Sequence, residues 1–170
     1  TNSGFYLRQC QQTDWTKQRA DWKAANAATA LSYLANKPDI ITLAEVENDN
    51  VVGVIAEKLG YGNAHFTSSS ADHRGIDVAI IYNKAKLRLV DKVEIQVVGD
   101  DLVKPTRPIL RAQFKLKDTR GNLLQAQTLY VYANHWPSQA APAKTRMMAA
   151  KILKDDIENV RQTVRGTLYF

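Results

Sequence analysis

Apolar residues recur at two different periods along this chain. Ala20, Ala24, Ala27, Leu31 and Leu34 fall three and four apart, which puts them on one face of a helix. Asp14 suits its N-cap, because a carboxylate can accept from the unpaired first-turn amides. Asn36 and Pro38 end it, since the residue before a proline is pushed out of the α region. Asp39 to Ala44 is short, β-branched at its centre and almost continuously apolar, which predicts an interior strand covered on both faces. Asn48, Asp49 and Asn50 make a polar break and a cap. Val51, Val54, Ile55 and Leu59 then predict a short helix closing at Gly60. Tyr61 to Asp72 is polar and reads as a loop.

The second half shifts to alternation. Val78 to Tyr82 predicts another buried strand. Leu87, Leu89, Val93, Ile95 and Val97 alternate with charges, and Ile109 to Leu116 alternates more cleanly. Asp118 to Asn122, with Gly121 inside it, predicts a hairpin turn, and Leu123 to Ala133 its returning strand. Met147, Ala150, Leu153, Ile157 and Val160 mark a final amphipathic helix. Helix–strand–helix, then hairpins, then a helix favours a layered α/β sheet protein over a purely parallel one.

Composition narrows this picture. The 170 residues are 45% hydrophobic and 24% charged, enough for a core without metal or disulfide staples. Eight Gly and five Pro exclude a collagen-like or Pro/Gly-rich chain. No apolar run approaches the ~18–20 residues of a membrane span. A lone cysteine, Cys10, excludes an intramolecular disulfide framework and a Cys-based zinc site. The chain opens on Thr1 and shows no signal peptide, which points to a processed protein or a fragment. Its net charge of +6 attracts polyanions at long range, or simply solubilises the surface.

Three segments carry chemistry, each at a strand end. Glu45, in Leu43-Ala44-Glu45-Val46-Glu47-Asn48, sits where ligands collect in layered α/β proteins. It reads as a carboxylate for a divalent ion or as part of an acidic turn. Asp72-His73-Arg74-Gly75-Ile76-Asp77 crowds the entrance to an apolar strand. Arg74 could hold a phosphate oxygen through its fork of donors, and Asp77 could orient an imidazole. An Arg–Asp surface pair worth little is the plainer reading. Tyr132 to Gln139 ends a long strand. There His135 can move a proton near neutrality, because an imidazole titrates near ~6.5. Asn134 can donate to an oxyanion, and Trp136 with Pro137 can stiffen the loop. A solvent-facing turn histidine is the alternative. The chain has no P-loop and no nucleophile elbow. Ser138 follows a proline and lacks flanking glycines, which removes most acyl-transfer enzymes.

Leu43 to Asn48, Arg74 to Ala79, and Asn134-His135-Trp136-Pro137-Ser138 resemble, in order and spacing, the endonuclease/exonuclease/phosphatase superfamily. Thr106-Arg107-Pro108-Ile109-Leu110 resembles its strand after the middle loop. The subgroup most similar is that of bacterial, often secreted, deoxyribonuclease-I-like nucleases. The resemblance runs from about Ala20 to Leu153. It implies a four-layer α/β sandwich, with two mixed β-sheets face to face and helices outside. It also implies metal-assisted phosphodiester hydrolysis by in-line attack of water. Glu45 then carries over as the Mg²⁺ ligand, with Mn²⁺ or Ca²⁺ as alternatives. His135 carries over as the group that protonates or stabilises the leaving oxygen, and Asn134 as a phosphate contact. Asp77 would orient His135, and Arg74 would touch substrate. The subgroup implies a nucleic acid substrate and an extracellular or periplasmic location; no protein partner is implied.

The departures set further expectations. Ala44 stands where the subgroup usually has Gln. The family's opening strand is absent, with Asn2 a candidate remnant of its asparagine. Its later Gly-Asp-x-Asn motif and terminal Asp-His pair are missing too. Residues 1–170 are therefore expected to be the N-terminal two-thirds of one domain, cut at both ends and inactive alone. Two other functions fit the same residues. One is a non-catalytic domain binding phosphate or nucleic acid in a basic cleft. The other is a lipid phosphodiesterase or phosphoinositide phosphatase of the same superfamily.

Overall fold

A computed structural model describes residues 16–34, 37–69, 75–99 and 107–170. Asn2, Cys10, Asp14, Asn36, Asp72, His73, Arg74 and Thr106 lie outside the described residues. Helix α1 spans Lys17–Ser32 and is capped by Thr16, whose side chain accepts from the Arg19 amide at 3.3 Å. Its small Ala24 and Ala28 are buried, and Ala27 and Leu31 pack beside them. Leu34, expected on the same stripe, lies past the helix end and is 53% exposed. Strand β1 (Ile40–Val46) leads into α2 (Asp49–Lys58). Asn48 caps α2 by accepting from the Val51 amide at 3.1 Å. Asp49 in its first turn and Lys58 in its last complement the helix dipole. Gly60 follows at φ 71°, a left-handed turn that suits a residue without Cβ.

Two sheets form. β1, β2 (His65–Thr67) and β3 (Asp77–Tyr82) make an antiparallel sheet in the order β1-β3-β2. The short β2 corrects the expectation of a continuous loop. Phe66 is buried there, and three residues pair with β3. Every residue of β3 is buried, as a continuous apolar run requires of a central strand. β1 departs from the expected interior strand. Among the described strands it pairs only with β3, and Thr42 and Ala44 are exposed. The second sheet joins β4 (Leu87–Ile95), β5 (Ile109–Lys117), β6 (Leu123–Ala133) and β7 (Thr167–Tyr169) in that order. Its β5–β6 turn is held by Asp118, whose carboxylate accepts from the Arg120 and Asn122 amides. Helix α3 (Ala143–Thr163) carries the chain back, so that β7 runs parallel to β6. β7 was not foreseen; three residues give alternation too little length to register.

The layers follow from the period-two split of β5. Leu110, Ala112 and Phe114 join the core shared with β3, α1 and α2, while Ile109 turns to a second core with Ala149 of α3. The order is α1 and α2, the first sheet, the second sheet, then α3. This is the expected α/β sandwich of two sheets flanked by helices. Tyr82 and Phe114 meet between the sheets with ring centroids 5.0 Å apart, within the range of favourable aromatic pairs. α3 buries part of its expected face, with Val160 buried and Leu153 packed against the second core. Thr145, Ala149 and Val160 are buried, with Ile152 packed beside Ala149, while Met147 is 71% exposed. Phe114 is fully buried at the sheet–sheet contact. Phe114→Ala is expected to cost about 3–5 kcal/mol. A urea titration should show a lower midpoint with an unchanged slope.

Candidate functional site

The site begins with an interruption in β1. Ala44 pairs with Val78 and Val46 with Asp77, so Glu45 is an extra residue facing no partner. Strict alternation would place Glu45 on the side of buried Ile41 and half-buried Leu43, driving a carboxylate toward the core. The bulge resets the count. Val46 turns inward at 8% exposure, and the Glu45 side chain is left 65% exposed. Glu45 reaches this geometry at φ 58°, a left-handed conformation that costs a residue with Cβ roughly 1–2 kcal/mol.

β6 delivers the other half. It ends at Ala133, 2% exposed, where β1 and β6 come together. Two residues on, His135 Nε2 lies 3.6 Å from Glu45 Oε1, and its side chain is 25% exposed. A carboxylate from one sheet and an imidazole from the other therefore meet at one end of the sandwich. Asp77 is the ladder partner of Val46, one rung from the bulge. It is buried at 9% exposure and accepts from the Ser68 hydroxyl at 3.3 Å. Ser68 in turn accepts from the Val78 amide at 3.1 Å. Nearby, Arg107 Nε donates to the Ile76 carbonyl, tying the start of β5 to the approach to β3.

The loop after β6 is held by its own side chains. Asn134 Nδ2 donates to the Tyr132 carbonyl at 3.0 Å, and Asn134 Oδ1 accepts from the Trp136 indole at 3.2 Å. Arg146 Nη1 donates to the carbonyls of Ser138 and Ala141. The expected stiffening by Trp136 thus takes the form of a hydrogen bond to Asn134. Further back, Arg111 Nη1 bonds both oxygens of Asp156 at 2.8 and 3.0 Å, and the Tyr132 hydroxyl donates to the same carboxylate at 2.8 Å. Burial, reinforced by that bond, pushes the Tyr132 phenol well above its ordinary value. Burial opposes the Arg111 charge, but the Asp156 carboxylate outweighs it and raises the guanidinium further. This cluster pins β6 to α3 two residues before Asn134.

The structure therefore joins Glu45 with His135 and sets Asp77 beside the bulge. It turns Asn134 onto its own loop, while Arg74 lies outside the described residues. Sequence reasoning missed Ser68 and the Arg111–Asp156–Tyr132 cluster. Asp156 had a signal: it falls on the buried stripe that also carries Ala149, Ile152 and Val160, where an acid needs a cation opposite. Ser68, inside a run of Thr and Ser, had none. Among the described residues, no group of three or more His, Cys, Asp or Glu could hold a metal ion. The Glu45 carboxylate alone still fits a hard divalent ion of the Mg²⁺ kind. Such an ion takes one or two carboxylates and fills its shell with water and phosphate oxygens. No described helix is long and apolar enough to cross a membrane. Glu45→Gly should relieve the left-handed strain and raise stability by about 1 kcal/mol in urea unfolding.

Comparison with known proteins gives the fold a context. It resembles an endonuclease/exonuclease/phosphatase family protein of Bacteroides thetaiotaomicron (TM-score 0.62, 19% identity), covering 84% of this chain and 52% of that one. D. rerio TDP2, solved with a single strand DNA product, has a TM-score of 0.57 and 18% identity, covering 79% of this chain and 48% of that one. The Bacteroides thetaiotaomicron mannosyl-6-phosphatase Bt3783 has a TM-score of 0.57 and 12% identity, covering 88% of this chain and 55% of that one. The chain spans about half the length of these structures. No curated protein matches it by sequence. The sequence pattern of the Endonuclease/Exonuclease/phosphatase family matches residues 3–167, so nearly the whole chain takes part in the match, and the chain belongs to that family.

Proposed function

We propose that these residues form part of a metal-dependent phosphodiesterase acting on nucleic acid, of the secreted-nuclease type. The observation that carries this reading is the 3.6 Å approach of Glu45 Oε1 and His135 Nε2 across the ends of β1 and β6. Family membership alone covers phosphatases as well as nucleases. The charge of +6 favours an extended polyanion, whose encounter with a basic protein is steered over long range. TDP2, one of the similar structures, was solved with a single strand DNA product.

In this reading Glu45 would hold the divalent ion through its exposed carboxylate. Mg²⁺, or Mn²⁺ or Ca²⁺ in its place, polarises the phosphoryl group when bound and offsets its developing charge. Water attacks phosphorus in line, losing its proton to bulk water, as the opposite P–O bond breaks. His135 gives a proton to the leaving oxygen, or stabilises it by hydrogen bonding. Asp77 fixes the start of β3 beside the bulge and serves as the orienting carboxylate for the imidazole. Asn134 keeps one Nδ2 hydrogen for a phosphate oxygen while the other holds the Tyr132 carbonyl. Arg74 supplies a guanidinium to the substrate.

A second reading is a non-catalytic phosphate-binding domain, favoured by the single carboxylate at the bulge. Plasmid cleavage separates the two, using the longest natural chain that contains these residues. With Mg²⁺, Glu45→Gln is expected to lower the cleavage rate by at least about 100-fold, the scale seen when one electrostatic contact to the transition state is removed. DNA binding in EDTA should be kept. Cleavage unchanged by Glu45→Gln, or by EDTA, would contradict the metal-dependent reading.

A further inference from the structure

We propose that Trp136 is a stacking platform for the nucleobase beside the scissile phosphate. The site would then act on single-stranded or locally unpaired nucleic acid. This rests on the phosphodiesterase reading above and narrows its substrate. Trp136 follows His135 directly, so its ring is carried within one residue of the group set against Glu45. The residue is 37% exposed, so part of its ring surface is open to a ligand. Its indole nitrogen is occupied, donating to Asn134 Oδ1 at 3.2 Å. The ring is therefore held by its polar edge while its π-surface takes no part in that bond.

The loop around it is already ordered. Asn134 is tied to the Tyr132 carbonyl, Pro137 fixes the next backbone φ, and Arg146 holds the Ser138 and Ala141 carbonyls. Ala141 closes a turn onto Ser138. A ring on such a loop loses little freedom when a ligand settles on it, so stacking is not offset by ordering. Every nucleobase presents a flat π-face, and one stacked base changes binding severalfold to a hundredfold when its aromatic partner is truncated. In a regular duplex those faces are covered by neighbouring bases, and so the ring selects unpaired strands.

The test is binding without cleavage, by fluorescence anisotropy in EDTA at low salt. It compares labelled oligothymidylate with an abasic oligonucleotide of the same length and charge. The wild-type chain is expected to bind oligothymidylate about tenfold or more tightly than the abasic strand. Trp136→Ala should erase that preference and leave abasic binding unchanged; Trp136→Phe, which keeps a ring but loses the Asn134 bond, should retain most of it. Equal wild-type affinity for the two strands would overturn the platform and leave the phosphate-binding site standing. Equal losses in the Ala and Phe variants would assign the effect to the Asn134 bond and overturn it as well. Binding of neither strand by the wild type would overturn the platform together with the nucleic-acid reading.

Discussion

The bulge at Glu45 is the constraint on which the site depends. A strand that alternates strictly would turn this carboxylate toward the helices and the core, where an ionised group without a partner is costly. One extra residue moves it out and brings Val46 in. The hydrophobic gain from Val46 and the escape of the charge act together against the strain of a left-handed glutamate. Strain of this size persists only where its surroundings fix it, and it concentrates at functional positions. Here the surroundings are β3, which is buried along its whole length and pairs with β1 on both sides of the interruption.

The bulge would achieve little if the second sheet could slide. Glu45 and His135 come from different sheets, so their approach is set by how the sheets pack. The Tyr82–Phe114 contact fixes that packing from the core, and the Arg111–Asp156–Tyr132 cluster fixes β6 against α3 from the other side. Hydrogen bonds then pass along the chain from Tyr132 through Asn134 to Trp136. Rigid strands bring Glu45 and His135 close, while the exposed loop carries the polar contacts.

Much of this was legible in the sequence. β6 was expected over Leu123 to Ala133 and is found there, because its length and its hairpin turn agree. Glu45 and His135 were separately assigned to strand ends, and the fold brings those ends together. What local pattern could not show is orientation. The α3 stripe was read in part: Leu153 and Val160 do face inward, but Thr145 and Ala149 are too polar or too small to register as stripe residues. Only the partner surface decides which set is covered. The exposed face of β1 was missed because an apolar run does not show which of its two faces is covered. Asn134 was read as a phosphate contact, and local pattern did not show that its amide also ties the loop through partners two residues away on either side. Arg74 lies outside the described residues and keeps its place as a proposal.

The central claim is that Glu45 and His135 share one metal-and-phosphate site. Its most direct measurement is a Mn²⁺ titration followed by NMR of the histidine ring protons. Paramagnetic broadening should reach His135 first, at low metal occupancy, and should vanish from His135 in Glu45→Gln. Broadening of His135 that persists unchanged in Glu45→Gln, or that reaches His65 before His135, would contradict the account.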